Sequence, residues 1–409
     1  MQAMERSRLL RRVEVLVFFT VFLDLVGFGI VIPMLPLYVQ SMGGSARTVG
    51  VLLGCFSFTQ LLATPLLGKY SDRYGRRPVI LLSLVANALA MGLFALASHQ
   101  HLLPLLFLSR ILAGATSGNL AACQAALADL STPETRARAM GRLGAGIGLG
   151  LVLGPLFGGL LAEWGAWFPP LAAGVLALLG ALGVLFFMPE THRAEAHSTP
   201  KSASRFTALR ETPRPRALTL VLLLYFLVFL TMTTYQVALA LLVQTRLGWS
   251  SKEVGYVFAL MGGLGFIIQG VLIGPLSRAV GEVRLLVLGT LLLCAGMLGV
   301  SLASAPLPLI GAVVLVGMGM GFIQPLLSSL ASQAANPSYL GVTLGLAQSS
   351  GGLARTVGPV ASGALYSSLG PSVPFAAGAI AAFVAALLAS LLNREGLGRE
   401  PHPKPATKS

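Results

Sequence analysis

Apolar residues run along this chain in long stretches, separated by short polar and basic clusters. A helix needs about 20 mainly apolar residues to cross the roughly 30 Å hydrocarbon layer of a bilayer. Twelve stretches meet that length: 13–39, 47–67, 79–98, 102–126, 139–162, 167–188, 218–243, 252–275, 284–303, 308–332, 341–366 and 374–392. They lack the alternation of a barrel strand, and backbone groups in lipid must be satisfied within their own segment, so each stretch is predicted to be a helix. The expected molecule is an all-α membrane protein with twelve spans.

The polar clusters set the expected orientation. With the amino terminus on the cytoplasmic side, 23 of the 28 cations fall in inner segments, and only Arg47, Arg246 and Lys252 fall outside. By the excess of Lys and Arg in cytoplasmic loops, both termini are predicted to be cytoplasmic. Two cations, Arg110 and Arg355, fall within spans. The longest polar interruption separates six spans from six. The predicted organisation is a first bundle over residues 1–188, a flexible cytoplasmic linker over 189–217 with room for a short surface helix around Arg205–Arg210, a second bundle over 218–393 and a cytoplasmic tail over 394–409.

Composition narrows the function classes. The chain has 409 residues, of which 55% are hydrophobic and 10% charged; its mean hydropathy is +0.81. A soluble domain carries about 25% charged residues, so this chain belongs in a membrane. The net charge of +14 does not mark a nucleic-acid binder, because the cations punctuate apolar runs rather than covering a folded polar face. Cys55, Cys123 and Cys294 lie apart within apolar runs, without disulfide or zinc spacing. The amino-terminal MQAMERSRLLRR has the charge of a secretory signal, but the apolar part that follows exceeds the roughly 7–15 residues of a signal core, so it is read as the first span.

The two halves repeat. Residues 148–161 align without gaps on 352–365, matching Gly148 with Gly352, Gly154 with Gly358, Pro155 with Pro359 and Gly159 with Gly363. At nearly the same offset, the loop 68–78 meets 274–284, and Gly114 and Gly118 meet Gly317 and Gly321. Two six-helix halves of parallel topology are the plan of a rocking transporter with its site between them.

The loop 68–78, GKYSDRYGRRP, is the densest polar cluster between spans two and three. Gly68 and Gly75 permit a tight turn, while Arg73, Arg76 and Arg77 suit the anionic inner leaflet. Asp72 sits at a helix end, where local arginines stabilise its charge. The loop resembles the signature motif of the major facilitator superfamily, and the resemblance extends over the twelve-span layout and the linker. It implies two six-helix bundles related by a pseudo-twofold axis, a monomer in the inner membrane, and a cytoplasmic gate formed by Gly68, Asp72, Arg73, Gly75, Arg76 and Arg77. It also implies that Asp72 meets the cytoplasmic end of span eleven. In the second half the charges reverse, Asp72 aligning with Arg278 and Arg76 with Glu282, so an asymmetric gate is expected.

Span five carries Gly146, Gly150, Gly154 and Gly158 four residues apart, with Pro155 and Gly159 beside them. Small residues at this spacing let two helix backbones approach closely. The run ending GPLFGG also resembles the motif of the antiporter branch, which implies export rather than uptake.

A charge at mid-bilayer costs about 2.5–3.5 kcal/mol on insertion scales, so one that persists faces a cavity or a partner. Asp24 is the acid read as deep in a span, and it is the expected proton carrier. Arg110, in a stretch resembling the family's span-four arginine motif, is its expected partner. A structural Asp permanently paired with Arg is the alternative. By family analogy the cavity candidates are Asn119, Tyr235, Gln236 and Gln324, with Gln60 and Gln269 as secondary ones; Arg355 is placed there too, with span-eight backbone, an anionic substrate or water left open as its partner.

Together these features resemble the proton-coupled drug antiporters that include tetracycline exporters. The implied activity is export of an amphipathic drug-like molecule in exchange for protons, with no cofactor, and with protons and membrane lipids as the other partners. Two rivals stay open: a proton symporter importing a metabolite, and a non-transporting receptor or lipid-binding scaffold. No nucleophile set, phosphate loop or metal cluster points to an enzyme. Sodium coupling is the weaker alternative to protons, since Asp24 has few polar neighbours in sequence.

Overall fold

The computed structural model describes residues 2–191, 214–336, 339–395 and 397. Most of the predicted linker and of the carboxyl-terminal tail lies outside the described residues, including the stretch around Arg205–Arg210. Among the described residues, eleven helices are long and apolar enough to cross a membrane. The remaining predicted span forms the helix Leu340–Leu369, which is equally long but falls short in apolarity because Gly, Ser and Thr recur along it.

Spans one to six are the helices Gln2–Val31, Ala46–Tyr74, Arg76–Gln100, the pair Leu103–Ala115 and Asn119–Leu130, Pro133–Leu161, and Phe168–Phe187. Spans seven to twelve are Pro215–Leu247, the helix beginning at Ser251 and ending at Val280, Glu282–Leu302, Pro306–Ala334, Leu340–Leu369 and Val373–Leu391. Proline opens several of them, as at Pro104, Pro133, Pro169 and Pro306, where the missing N–H has no helical partner to lose.

Two predicted spans are not continuous. The run 13–39 breaks after Val31, turns through Ile32–Met34 around Pro33, and resumes as the short helix Leu35–Ser41. Span four breaks at Thr116–Gly118, where the Thr116 and Ser117 hydroxyls donate to the Leu112 and Ala113 carbonyls at 2.9 and 2.7 Å. These bonds give the interrupted ladder alternative partners. A Cβ on Gly118 would stand 2.9 Å from the Leu67 Cβ, so only glycine lets span two come this close. Span eight loosens into a π turn at Ile268–Leu272.

The halves repeat in backbone as well as in sequence. Ser45 and Ser250 open spans two and eight with capping boxes. Gly75 and Gly281 link spans two to three and eight to nine with φ of 106° and 91°. The turns at the opposite end of the helices carry two further positive-φ pairs, Gly43 with Gly248 and Gly165 with Gly370. Packing follows the same symmetry: span one lies against five and six as span seven lies against eleven and twelve, and three against four as nine against ten. The two bundles meet along two main seams, span two with eleven and span five with eight.

Each seam closes at one end. Along spans two and eleven, Gly363 faces Ala46, Gly50 faces Pro359, Gly54 faces Thr356 and Gly352 faces Leu61. Further along, Gly68, Gly345 and Gly341 face open space. Along spans five and eight, a Cβ on Gly255 would stand 3.0 Å from the Gly159 Cα, and Gly262 and Phe266 touch Leu151 and Gly148. Gly144, Gly141, Gly270 and Gly274 have nothing opposite. The closed end also carries the Lys252–Glu163 ion pair at 3.0 Å and an Arg47 N–H donating to Ser367 Oγ at 3.2 Å. The bundles therefore part toward the face that holds the basic loop 68–78.

Candidate functional site

Asp24 stands about three-quarters of the way along span one and is half-buried. Its carboxylate accepts a hydrogen bond from Asn87 Nδ2 of span three at 3.1 Å. Asn119, the first residue after the break in span four, is buried beside it as a second amide facing the carboxylate. Cys123, one helical turn further, is fully buried on the same side. Span one is fixed here by span five: a Cβ on Gly150 would stand 2.7 Å from the Leu25 Cβ, and one on Gly154 2.7 Å from the Gly29 Cα. Gly146 and Gly158 face Phe18 and Ile30 of the same helix. The glycine stripe is thus the surface on which the Asp24 helix rests. Pro155 and Gly159 also face span eight, across the seam.

The expected Asp24–Arg110 pair is not formed. Arg110 precedes the break in span four and points to span three, where its Nη2 contacts Met91 Sδ at 3.5 Å and its guanidinium carbon lies 4.7 Å from the Phe94 ring centroid. It is 2% exposed, and its Nε has no partner. The ring face supplies the attraction that a carboxylate would have supplied. The break in span four is the physical reason for the separation, since Arg110 and Asn119 sit on opposite sides of it.

The basic loop is organised by Arg76 rather than by Asp72. The Arg76 guanidinium donates to Asp129 Oδ2 from Nε at 3.0 Å, and from Nη1 to Asp72 Oδ1 at 2.5 Å and Ser71 Oγ at 3.2 Å. Glu190, just after span six, accepts from the backbone N–H groups of Arg76 and Arg77 at 2.9 and 3.3 Å. A carboxylate at the first turn of span three is favourably placed for the helix dipole. Gly75 allows it, since a Cβ there would stand 2.7 Å from Glu190 Cδ. Arg77 Nη2 donates to the Leu185 carbonyl at 2.6 Å, and Arg73 lies over the Tyr74 ring at 5.3 Å. Asp72 does not meet span eleven in this conformation, because that end of the seam is open.

The second half carries the reversed and weaker arrangement. Glu282 accepts from Ser329 Oγ at 2.9 Å and from Gln333 Nε2 at 2.8 Å, while Arg278 Nε turns back to the Gly274 carbonyl at 3.3 Å. Neutral donors thus replace the ion pairs of the first half.

The cavity candidates do not all gather. Tyr235 is 1% exposed and packs edge-on against Phe258 and Phe375, so it belongs to the core of the second bundle rather than to an open wall. Gln236 and Gln60 are half-buried, Gln324 and Gln269 exposed. Arg355 is half-buried with its guanidinium carbon 4.7 Å from the Phe229 ring centroid. Sequence reasoning missed Asn87, Asp129 and Glu190. An amide within the apolar run LVANALAMG was the available signal for Asn87. It also passed over Glu14, which is 5% exposed in span one and pairs with Arg142 of span five.

A two-bundle helical molecule with opposed seams and an acid inside its membrane span is a secondary transporter. The chain belongs to the major facilitator superfamily, whose model matches residues 17–225 and 221–409. It is 32% identical over 355 residues to the tetracycline resistance protein, class C, of Escherichia coli, covering 85% of this chain and 88% of that protein. It is 28% identical over 271 residues to multidrug resistance protein 2 of Bacillus subtilis (strain 168), covering 65% of this chain and 67% of that one. Among solved structures it resembles the human organic anion transporter MFSD10 (TETRAN), with a TM-score of 0.70, 26% identity, and coverage of 93% of this chain and 99% of that one. The protein is a transporter related to drug efflux pumps, not an enzyme.

Proposed function

We propose that this protein exports amphipathic drug-like molecules from the cytoplasm in exchange for protons, by alternating access. The observation that carries the reading is Asp24: a half-buried carboxyl inside the first bundle, held by the amide of Asn87 and, among the described residues, not by a cation. An acid without a permanent counter-charge is free to load and release a proton as the cavity faces each side. The relatives named for tetracycline and multidrug resistance support the direction of export.

In this reading the basic face is cytoplasmic, both termini lie there, and the conformation is inward-open. The Arg76 hub then holds the inner ends of spans two, three, four and six together as one body while the bundles rock. Asp72, with its carboxylate on the free side of that hub, is the gate acid that engages span eleven when the inner face closes. Gly68, one turn earlier on the same face as Leu61, lets the two spans meet there. The bundles span residues 1–188 and 218–393 with a linker between, and the transporter acts as a monomer in the inner membrane.

The test uses everted membrane vesicles energised to acidify the lumen. A panel of drug-like amphipaths should include members that accumulate inside, and a protonophore should abolish the accumulation. Accumulation only in right-side-out vesicles under an inward proton gradient would replace export by import.

A further inference from the structure

Arg355 is a charged side chain in a membrane span with no acid beside it. Among the described residues it forms none of the ion pairs, and the intramembrane acid Asp24 is held in the other bundle by Asn87. Its surroundings are built rather than accidental. Ser350 Oγ donates to the Leu222 carbonyl at 2.8 Å, fixing this turn of span eleven to span seven. Gly351 admits the Phe229 ring, because a Cβ there would stand 2.9 Å from Phe229 Cδ2. Phe229 in turn stacks on Tyr225, one turn nearer the basic face, with centroids 6.0 Å apart and planes 19° from parallel.

The position matters as much as the charge. Gly352 is the last glycine of span eleven to face span two, at Leu61, before Gly345 and Gly341 face open space. Arg355 lies one turn beyond it, toward the closed end. The half-buried guanidinium therefore sits near where the opening between the bundles ends, against the half-buried Phe229 ring, which the core residue Tyr225 backs from the side nearer the basic face. Stacking on Phe229 fixes one face of the guanidinium, and the N–H groups along its edge make no hydrogen bond to a described residue. A planar fork of donors suits a carboxylate or a comparable anion, which it can bind through two parallel hydrogen bonds.

We propose that Arg355 and Phe229 form a subsite that binds an anionic group carried on a flat apolar body, so that the transported amphipaths include organic anions. This rests on the reading of the protein as an exporter of amphipaths.

The test compares 2-naphthoate with its uncharged methyl ester, binding to the full chain in phosphatidylcholine nanodiscs. The normal protein should prefer the anion by about tenfold or more, which is about 1.4 kcal/mol. Arg355→Gln should erase that preference, Arg355→Lys should keep part of it, and Phe229→Ala should weaken both ligands. Equal binding of the two ligands to the normal protein, or an unchanged preference in Arg355→Gln, would overturn the proposal. So would competition by phosphatidylglycerol that Arg355→Gln removes, since the anion would then be a lipid headgroup. The export reading is separable: with the normal protein, uncharged drugs should drive proton release in everted vesicles whether or not naphthoate is preferred over its ester. A preference for naphthoate without transport of any compound would keep the subsite and remove the export reading.

Discussion

Asn87 of span three donates to the carboxylate of Asp24 on span one at 3.1 Å, and among the described residues no cation forms an ion pair with that carboxylate. This changes the expected chemistry of the first bundle. A carboxylate locked to Arg110 would carry a fixed charge, whereas one held by an amide can change its protonation without breaking an ion pair. Arg110 has its own environment, under the Phe94 ring and against Met91.

Independence of the two groups is directly measurable. Asp24→Asn and Arg110→Gln should shift thermal stability in detergent by amounts that add within about 0.5 kcal/mol, as expected for sites that share no contact. A coupling above about 1 kcal/mol would show that they interact after all.

The glycine stripe gives a second expectation. A Cβ on Gly154 would stand 2.7 Å from the Gly29 Cα and 2.8 Å from the Val26 carbonyl oxygen, both backbone atoms that cannot swing away. Gly154→Val should therefore push span one off span five, costing about 1–3 kcal/mol in stability and most of the transport, since Asp24 rides on that helix. Gly68→Ala adds its methyl to open space and should leave stability within about 0.5 kcal/mol.

At the basic loop, Arg76 should matter more to stability than Asp72. Arg76→Ala leaves Asp129 without its cation and opens the joint between spans two, three and four, so the unfolding temperature should fall by several degrees. Arg76→Lys should recover only part of the loss, because one ammonium cannot reproduce the forked contacts to Asp72 and Asp129. Asp72→Asn should leave the unfolding temperature nearly unchanged, its carboxylate being largely exposed, and should instead favour the inward-open state.

Seam geometry predicts which positions water can reach. With Cys55, Cys123 and Cys294 replaced by serine, a cysteine at Gly68 or Gly345 should react with a membrane-impermeant thiol reagent added from the basic face. One at the fully buried Val49 should not. Protection of both open positions would show that the resting state is closed on that side.

Much of this molecule was legible in its sequence, for physical reasons. Length and apolarity are local properties, so the twelve helices could be located, and the run of glycines in span five marked a close helix contact. The breaks in spans one and four were less visible, because a run can stay apolar while Pro33 or Gly118 interrupts its helix. Partners across helices were the least legible. Nothing local links Asp24 to Asn87, or Arg76 to Asp129 and Glu190; those pairs depend on how whole spans rotate against each other. The Asp24–Arg110 expectation failed for that reason, since opposite charge on neighbouring spans does not fix their height or facing.

The central claim is that Asp24 carries the exchanged proton, and proton release from everted vesicles measures it most directly. With the lumen held acidic, addition of a transported amphipath should release protons into the medium with the normal protein. With Asp24→Asn, folded and inserted to the same level, it should release none. Substrate-driven release that persists in Asp24→Asn would contradict the account and place the proton on another group.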